Sequence, residues 1–121
     1  MRIRVKEYLD DDRTEAIVEI CDGATALLAF RHPHNALPEN GPIRLRTFLA
    51  ENICAEQMFQ PPRKLDNGLF SYRLTAEVVN TQQQIVCVGN VTIALDTPLP
   101  KDIQNGDIVS FDVMRLDVAC A

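Results

Sequence analysis

The stretch from Phe70 to Leu95, FSYRLTAEVVNTQQQIVCVGNVTIAL, decides the fold of this chain. Its first part, from Phe70 to Val78, places an apolar side chain at every second position, which is the pattern of a half-buried β-strand. A polar turn at residues 80–83 separates it from a second run. That second run predicts one long strand with a shared inner face of Ile85, Cys87, Gly89, Val91, Ile93 and Leu95. A glycine inside a strand predicts a bulge or sharp bend, which a closed barrel needs.

The same alternation continues on both sides of this stretch. Strands are predicted at residues 2–6, 16–21, 26–30, 43–49 and 108–118. Asp10-Asp11-Asp12 supplies a turn, and Asp22-Gly23 predicts a hairpin because this pair readily adopts the positive φ angles of a type I′ turn. The hairpin places Ala26, Leu28 and Phe30 on one face of its returning strand.

Two proline-rich segments, residues 31–42 and 60–68, are predicted to be long loops. Between them, residues 48–59 also admit a helical interpretation, because Leu49, Ile53 and Cys54 recur at helical spacing, although the segment has no strong cap. No other segment suggests a helix. The loops are the expected recognition surface, because binding residues concentrate on loops that a rigid scaffold positions.

The pattern therefore predicts a mainly β protein in which about six or seven strands pair in antiparallel fashion. A small closed or partly closed barrel is the first choice, and a two-sheet β-sandwich is the alternative. With 121 residues, the whole chain, 1–121, is expected to form a single domain that can bury a core without a metal or a disulfide.

The segment Leu99–Val113, LPKDIQNGDIVSFDV, resembles the end of many OB-like barrels. There, a Gly-Asp-hydrophobic-Val turn, here Gly106-Asp107-Ile108-Val109, leads the chain into its last strand. The resemblance covers about a quarter of the chain and implies the barrel architecture. OB-like nucleic-acid faces carry aromatic residues among basic ones, whereas this chain has seven aromatic residues and no Trp. No functional residue is therefore carried over from the family.

Composition limits the classes of partner. The formal net charge of −5 opposes non-specific binding to nucleic acid or to an anionic membrane, since both need a positive field. No apolar run approaches the roughly 18 residues of a spanning helix, and residues 1–6 do not resemble a signal peptide, so a cytoplasmic location is expected. There the four cysteines are expected to be reduced, with Cys21 and Cys87 acting as small buried hydrophobic residues.

The sequence offers little support for catalysis or for a cofactor, and we predict neither. Ser71 and Ser110 appear at solvent-facing strand positions, outside any Gly-x-Ser-x-Gly elbow. Glycine-rich phosphate loops and Cys-x-x-Cys pairs are missing from the sequence. His32 and His34 are the only histidine pair and could share a metal, because two residues apart on an extended chain they would point the same way. A third ligand would have to come from Glu39, Asp22 or Cys21. The alternative interpretation is that both histidines lie in a solvated loop and bind no metal.

One binding surface can be predicted residue by residue, and it consists mainly of basic side chains. If the strands that carry them are neighbours, a cationic face forms outside the sheet, completed by one aromatic ring. Its members are Arg2, Arg4, Lys6, Arg44, Arg46 and Tyr72. The alternative is that these cations pair with outward acids such as Glu15, Glu19, Glu77 and Asp112 across strands, each pair contributing only tenths of a kcal/mol.

Three function classes remain. The first is a non-enzymatic cytosolic module that binds a protein partner or a second copy of itself. One version of it is an acidic antidote that covers the basic active site of a toxic nuclease, as small bacterial immunity proteins do. The second class is an OB-like protein that binds single-stranded nucleic acid, and the third is a small enzyme.

Overall fold

The computed structural model describes residues 2–12, 15–22, 25–32, 43–65 and 71–118, and within these ranges the chain forms β-strands and no helix. The strands are β1 (Arg2–Tyr8), β2 (Ala16–Asp22), β3 (Thr25–Arg31), β4 (Ile43–Glu56), β5 (Arg63–Lys64), β6 (Tyr72–Asn80), β7 (Ile85–Val88), β8 (Val91–Ala94) and β9 (Ile108–Val118). The prediction of a mainly β fold is confirmed. None of the described residues belongs to a helix that could cross a membrane.

Five of the strands close into a barrel. β6, β7 and β8 form an antiparallel meander, β4 pairs with β8, and β9 joins β4 to β6 to complete the ring. The small barrel is thus confirmed as the architecture. It is a mixed barrel, because β4 and β8 run parallel while the other four pairings in the ring are antiparallel.

The remaining strands extend the barrel. β1, β2 and β3 form an antiparallel meander that reaches the barrel through one parallel bridge, between Phe30 and Asp117 of β9. The predicted hairpin between β2 and β3 is confirmed by the pairing of Asp22 with Thr25, although its turn residues, 23 and 24, lie outside the described residues. Among the described strands, β5 pairs only with β6.

Apolar side chains fill the barrel interior. The largest fully buried ones include Phe111, Leu45, Leu74, Ile93 and Leu116. Ala26, Leu28 and Phe30 alternate along β3 as predicted, but Ala26 is exposed, and Leu27 and Ala29 on the other face are fully buried. Leu28 is buried as well, so β3 is covered on both faces and alternation could not identify its inner side.

The helical interpretation of residues 48–59 is wrong. Residues up to Glu56 belong to β4, a 14-residue strand that pairs along most of its length with β9. The spacing that suggested a helix arises because β4 is kinked, with left-handed φ angles of 57° at Leu49 and 58° at Asn52 and a shift of register between Glu51 and Cys54. Each irregularity disturbs the period-two pattern.

The single strand predicted for residues 85–95 is also wrong, because the chain reverses at Gly89-Asn90. Val88 pairs directly with Val91, and Gly89 has a φ of 60°, as a two-residue hairpin turn requires. The turn shifts the phase of the alternation. The buried side of this hairpin therefore comprises Val86, Val88, Val91 and Ile93, rather than one unbroken alternating set.

Candidate functional site

The structure separates the basic residues that the sequence analysis grouped. Arg4 and Lys6 are exposed on β1, whereas Arg44 and Arg46 are exposed on β4. β2, β3 and β9 lie between these two strands in the sheet, so the predicted neighbourhood does not exist. Arg2 belongs to β1, but its side chain lies outside the described residues.

Arg4 instead follows the alternative prediction. Its Nη2 lies 2.9 Å from Oε1 of Glu19, and its Nε donates to the same oxygen at 3.0 Å. Arg4 and Glu19 are register partners on β1 and β2, so this is a cross-strand ion pair. An exposed pair of this kind contributes about 0–1 kcal/mol to stability.

Tyr72, the aromatic residue of the predicted cationic face, is buried. Only 3% of the residue is exposed, and its hydroxyl accepts a hydrogen bond from the Leu28 backbone N–H at 3.0 Å. Burial raises the pKa of Tyr72, the Leu28 hydrogen bond lowers it, and the charge of Glu19 raises it, with a raised pKa as the net result. The ring is therefore not available for stacking at this surface, and the residue links β6 to β3.

The other candidate residues fall in several places. His32 makes an edge-to-face contact with Phe30 at a centroid distance of 4.6 Å, while His34 lies outside the described residues. No group of three metal-ligating side chains occurs within the described ranges. Ser71 and Ser110 are buried rather than solvent-facing, and Cys21 and Cys87 are only half-buried.

An exposed apolar surface lies where β4 is kinked beside β9. We call it the β4–β9 patch, and it consists of Phe48, Leu49, Met114 and Arg115. Its three apolar side chains are 43%, 51% and 47% exposed. The left-handed backbone at Leu49 disrupts the alternation, so the neighbouring side chains of Phe48 and Leu49 both face solvent. Phe48 pairs with Arg115, and Ala50 pairs with Val113, which places Met114 beside Leu49.

Arg115 is held rigidly at this patch. Its guanidinium carbon lies 4.8 Å from the ring centroid of Phe48 and 5.1 Å from that of Phe30. Its Nε and Nη2 also donate to the two carboxylate oxygens of Asp117, at 2.7 and 3.1 Å. Cation–π contacts and a bidentate carboxylate together fix the orientation of this side chain before any partner binds.

Arg44 and Arg46 extend the patch along β4. They alternate with inward-facing residues on the same outer face as Phe48, and neither forms an ion pair with any of the described residues. The sequence did contain a signal for this surface. Phe48 occupies the polar phase of the alternating run 43–49, with the two arginines, where an aromatic residue gains no burial in the core.

Comparison of the chain with protein-family models, curated proteins and solved structures finds no match. The geometry of the surface therefore carries the argument for function.

Proposed function

We propose that this protein is a non-enzymatic binding module that recognises a protein partner through the β4–β9 patch. The observation that carries this proposal is that three large apolar side chains are exposed at adjacent positions of the β4–β9 pair, where two phenylalanine rings already position an arginine. Aromatic residues, Met and Arg are enriched in protein interfaces, and buried aromatic and arginine side chains often contribute most of the binding energy. Because apolar side chains fill the barrel interior, a ligand has to bind outside it.

The charge of the residues beside the patch indicates what kind of surface the partner presents. Arg44 and Arg46 form a cationic border at one end of the patch, so the complementary partner presents an apolar segment flanked by acidic side chains. A two-fold dimer through this border would bring the same arginines close to their copies, which disfavours self-association there. The basic border also gives no support to an antidote that covers a basic active site, since that role needs an acidic surface.

Single-stranded nucleic acid is the second candidate partner. Arg44, Arg46 and Phe48 alternate on the outer face of β4, and exposed cations beside an aromatic ring are the elements of a single-strand-binding surface. A small closed barrel is also compatible with an OB-like module. Arg115 already covers one face of Phe48, however, and the net charge of −5 opposes binding. The protein partner is therefore preferred.

The test begins with a photo-crosslinking amino acid placed at Met114 or, as a control, at Val79, which is 50% exposed on β6. A protein captured only from position 114 is then purified and titrated against three forms of the chain: wild type, Met114→Glu and Val79→Glu. We expect Met114→Glu to weaken binding at least about tenfold, because it buries a charge in the apolar centre, and Val79→Glu to leave it unchanged.

Three kinds of result would overturn the proposal. The first is equal weakening by both substitutions, or crosslinking that does not depend on position 114. The second is saturable binding of a fluorescent oligonucleotide at low salt that Arg46→Gln abolishes, which would support the second candidate. A concentration-dependent dimer that Met114→Glu dissociates would identify a second copy of the chain as the occupant and would also contradict a separate partner.

A further inference from the structure

A second surface, far from the β4–β9 patch, has the features of a small-molecule site. A cleft of about 540 Å³ opens where the ends of β4 and β9 meet β5 and β6. It lies near Ser110, whereas the patch includes Arg115 on the same strand, so the two are separated by roughly 17 Å along β9. Ligand pockets commonly have volumes of about 300–1,000 Å³.

Three residues of the cleft lining, Arg73, Ser110 and Glu56, belong to a polar network that continues outside the cleft to Asp112 and Asn52. Arg73 Nη1 binds Oδ1 of Asp112 at 2.8 Å, and its Nη2 donates to Oγ of Ser110 at 2.9 Å. Ser110 is 3% exposed and donates onward to Oε1 of Glu56 at 2.7 Å. Asn52 donates to the other oxygen of Asp112 at 3.0 Å. These bonds hold the side chains in place without a ligand, which reduces the entropic cost of binding.

The same network keeps Asp112 and Arg73 in their charged forms. Burial alone would raise the pKa of Asp112, but the hydrogen bonds from Asn52 and Arg73 and the positive charges of Arg73 and Arg63 lower it overall. The bond to Asp112 raises the pKa of Arg73. Arg73 and Asp112 therefore form a charged pair whose charges compensate each other.

Two other donors in the cleft remain open. Arg63 stands opposite Arg73 in the β5–β6 register, is exposed, and forms no ion pair with the described residues. Thr75 is only 6% exposed, lines the cleft, and its hydroxyl makes no hydrogen bond with a side chain or backbone group in the described ranges. The hydroxyl oxygen is not sealed from solvent, so it can exchange water for a bond to a polar ligand that enters the cleft.

We propose that this cleft binds a small carboxylic acid that also carries a hydroxyl or amino group. The guanidinium of Arg63 matches a carboxylate in a forked, two-bond geometry, and the Thr75 hydroxyl supplies a third donor. The second oxygen of Glu56, which Ser110 does not use, can accept a bond from the hydroxyl or amino group. Pro61 and Pro62 provide an apolar wall for the carbon chain.

The charge of Glu56 favours a carboxylate rather than a phosphate as the ligand of this cleft. This negative charge lies in the cleft and is balanced by Arg63, the one cation of the described cleft lining that forms no ion pair. A phosphate dianion would bring two negative charges against Glu56, whereas a carboxylate brings one and can offer a donor in return. The described residues thus favour a singly charged ligand with a hydrogen-bond donor.

The test is a titration of the ¹⁵N-labelled full chain followed by NMR, with L-lactate, propionate and inorganic phosphate as the three probes. Lactate differs from propionate by one hydroxyl, so it reports on the acceptor role of Glu56. We expect lactate to shift the amides of Arg63, Arg73 and Thr75 in a saturable manner with a Kd of about 1 mM, since such a small ligand binds weakly. Propionate and phosphate should bind several-fold more weakly.

Two substitutions locate the site. Arg63→Gln should weaken lactate binding about tenfold, while Lys64→Gln, which removes the same charge from the adjacent exposed position of β5, should leave it unchanged. Thr75→Val should weaken it about threefold without unfolding the chain, as a dispersed NMR spectrum would verify. The proposal is overturned by an absence of saturable lactate binding, by equal effects at positions 63 and 64, or by phosphate binding more tightly than lactate.

Discussion

At the scale of single residues, Asp96 stabilises the left-handed bend of β4 at Leu49. Its Oδ1 accepts bonds from the Thr47 hydroxyl at 2.7 Å and the Ala50 N–H at 2.9 Å, and its Oδ2 accepts the Leu49 N–H at 2.8 Å. Thr47 Oγ1 in turn accepts the backbone N–H of Asp96 at 2.9 Å. Because Leu49 adopts a left-handed conformation, its neighbours depend on this carboxylate as a hydrogen-bond partner.

Asp96→Ala should therefore destabilise the fold by roughly 2–3 kcal/mol, since it removes three hydrogen bonds and leaves polar groups near the barrel wall without partners. Asp102→Ala, at an exposed turn position, is the control and should change stability by less than about 0.5 kcal/mol. Urea denaturation measures both. Equal midpoints for the two variants would contradict the role assigned to Asp96.

The same carboxylate predicts a dependence of stability on pH. Burial alone would raise the pKa of Asp96, but the hydrogen bonds from Ala50, Thr47 and Leu49 outweigh it and lower the pKa below its ordinary value. A lowered folded-state pKa gives stability that is present above the unfolded value and is lost as the pH falls through the folded value. Between about pH 5 and pH 3, Asp96→Ala should lose less stability than the wild type in urea titrations. A parallel loss in both would refute the prediction.

Tyr72→Phe tests the link between the barrel and β3. The substitution keeps the buried ring but removes the acceptor of the Leu28 N–H, which should cost about 1–3 kcal/mol of the free energy of unfolding. Val79→Thr, on a residue that is 50% exposed on the same strand, should change it by less than about 0.5 kcal/mol because that side chain already meets water. If thermal and urea unfolding show the two variants to be equally stable, the Tyr72 hydroxyl has no such role.

Residue roles were harder to predict from the sequence than residue positions. The alternation correctly placed Tyr72 on the same face as Leu74, yet only the structure shows that its hydroxyl meets β3. Ser110 was expected to face solvent because its own strand alternates. It is buried because Glu56 and Arg73, distant in the sequence, converge on it. Spacing along one strand contains no information about such neighbours.

At the scale of elements, the deviations from regular strands determine which side chains are exposed. The kink in β4 exposes Leu49 beside Phe48, and the Gly89-Asn90 turn divides what looked like one strand into a hairpin. The second feature was accessible from the sequence, since Gly-Asn between two apolar runs is a recognised hairpin signal. The first was not, because Leu49 has no intrinsic preference for a left-handed conformation and Asp96 stabilises it from another part of the chain.

Gln84, in the turn before β7, offers a test of backbone strain. Its φ is 61°, a conformation that costs a residue with a Cβ roughly 1–2 kcal/mol. Gln84→Gly should therefore stabilise the protein by about 0.5–1 kcal/mol, even after the larger entropy of glycine in the unfolded chain is included. Gln82→Gly, two positions earlier and without a positive φ, should destabilise it by a similar amount. Urea midpoints that move in the same direction would contradict this account.

At the scale of the molecule, the barrel and the β1–β3 meander share one buried core but differ in how their backbones are joined. Val18, Ile20 and Leu27 of the meander belong to the same buried cluster as the barrel residues. The sequence predicted the barrel because its short alternating strands and frequent turns have few other ways to bury their apolar faces. It could not predict the parallel pairing of β4 with β8, because that depends on contacts between segments almost 50 residues apart.

The meander is hydrogen-bonded to the barrel mainly through β3, by one parallel bridge to β9 and by the bond from the Leu28 N–H to the Tyr72 hydroxyl. The meander should therefore open before the barrel does. Native-state hydrogen exchange should show ladder amides of β2 opening with a free energy roughly 2 kcal/mol below that of amides in β6 and β9. Phe30→Ala removes the ring that packs against Arg115, so it should lower protection in β1–β3 more than in the barrel. Uniform protection across β2, β6 and β9, or an equal loss in all of them, would mean instead that the chain unfolds as one cooperative unit.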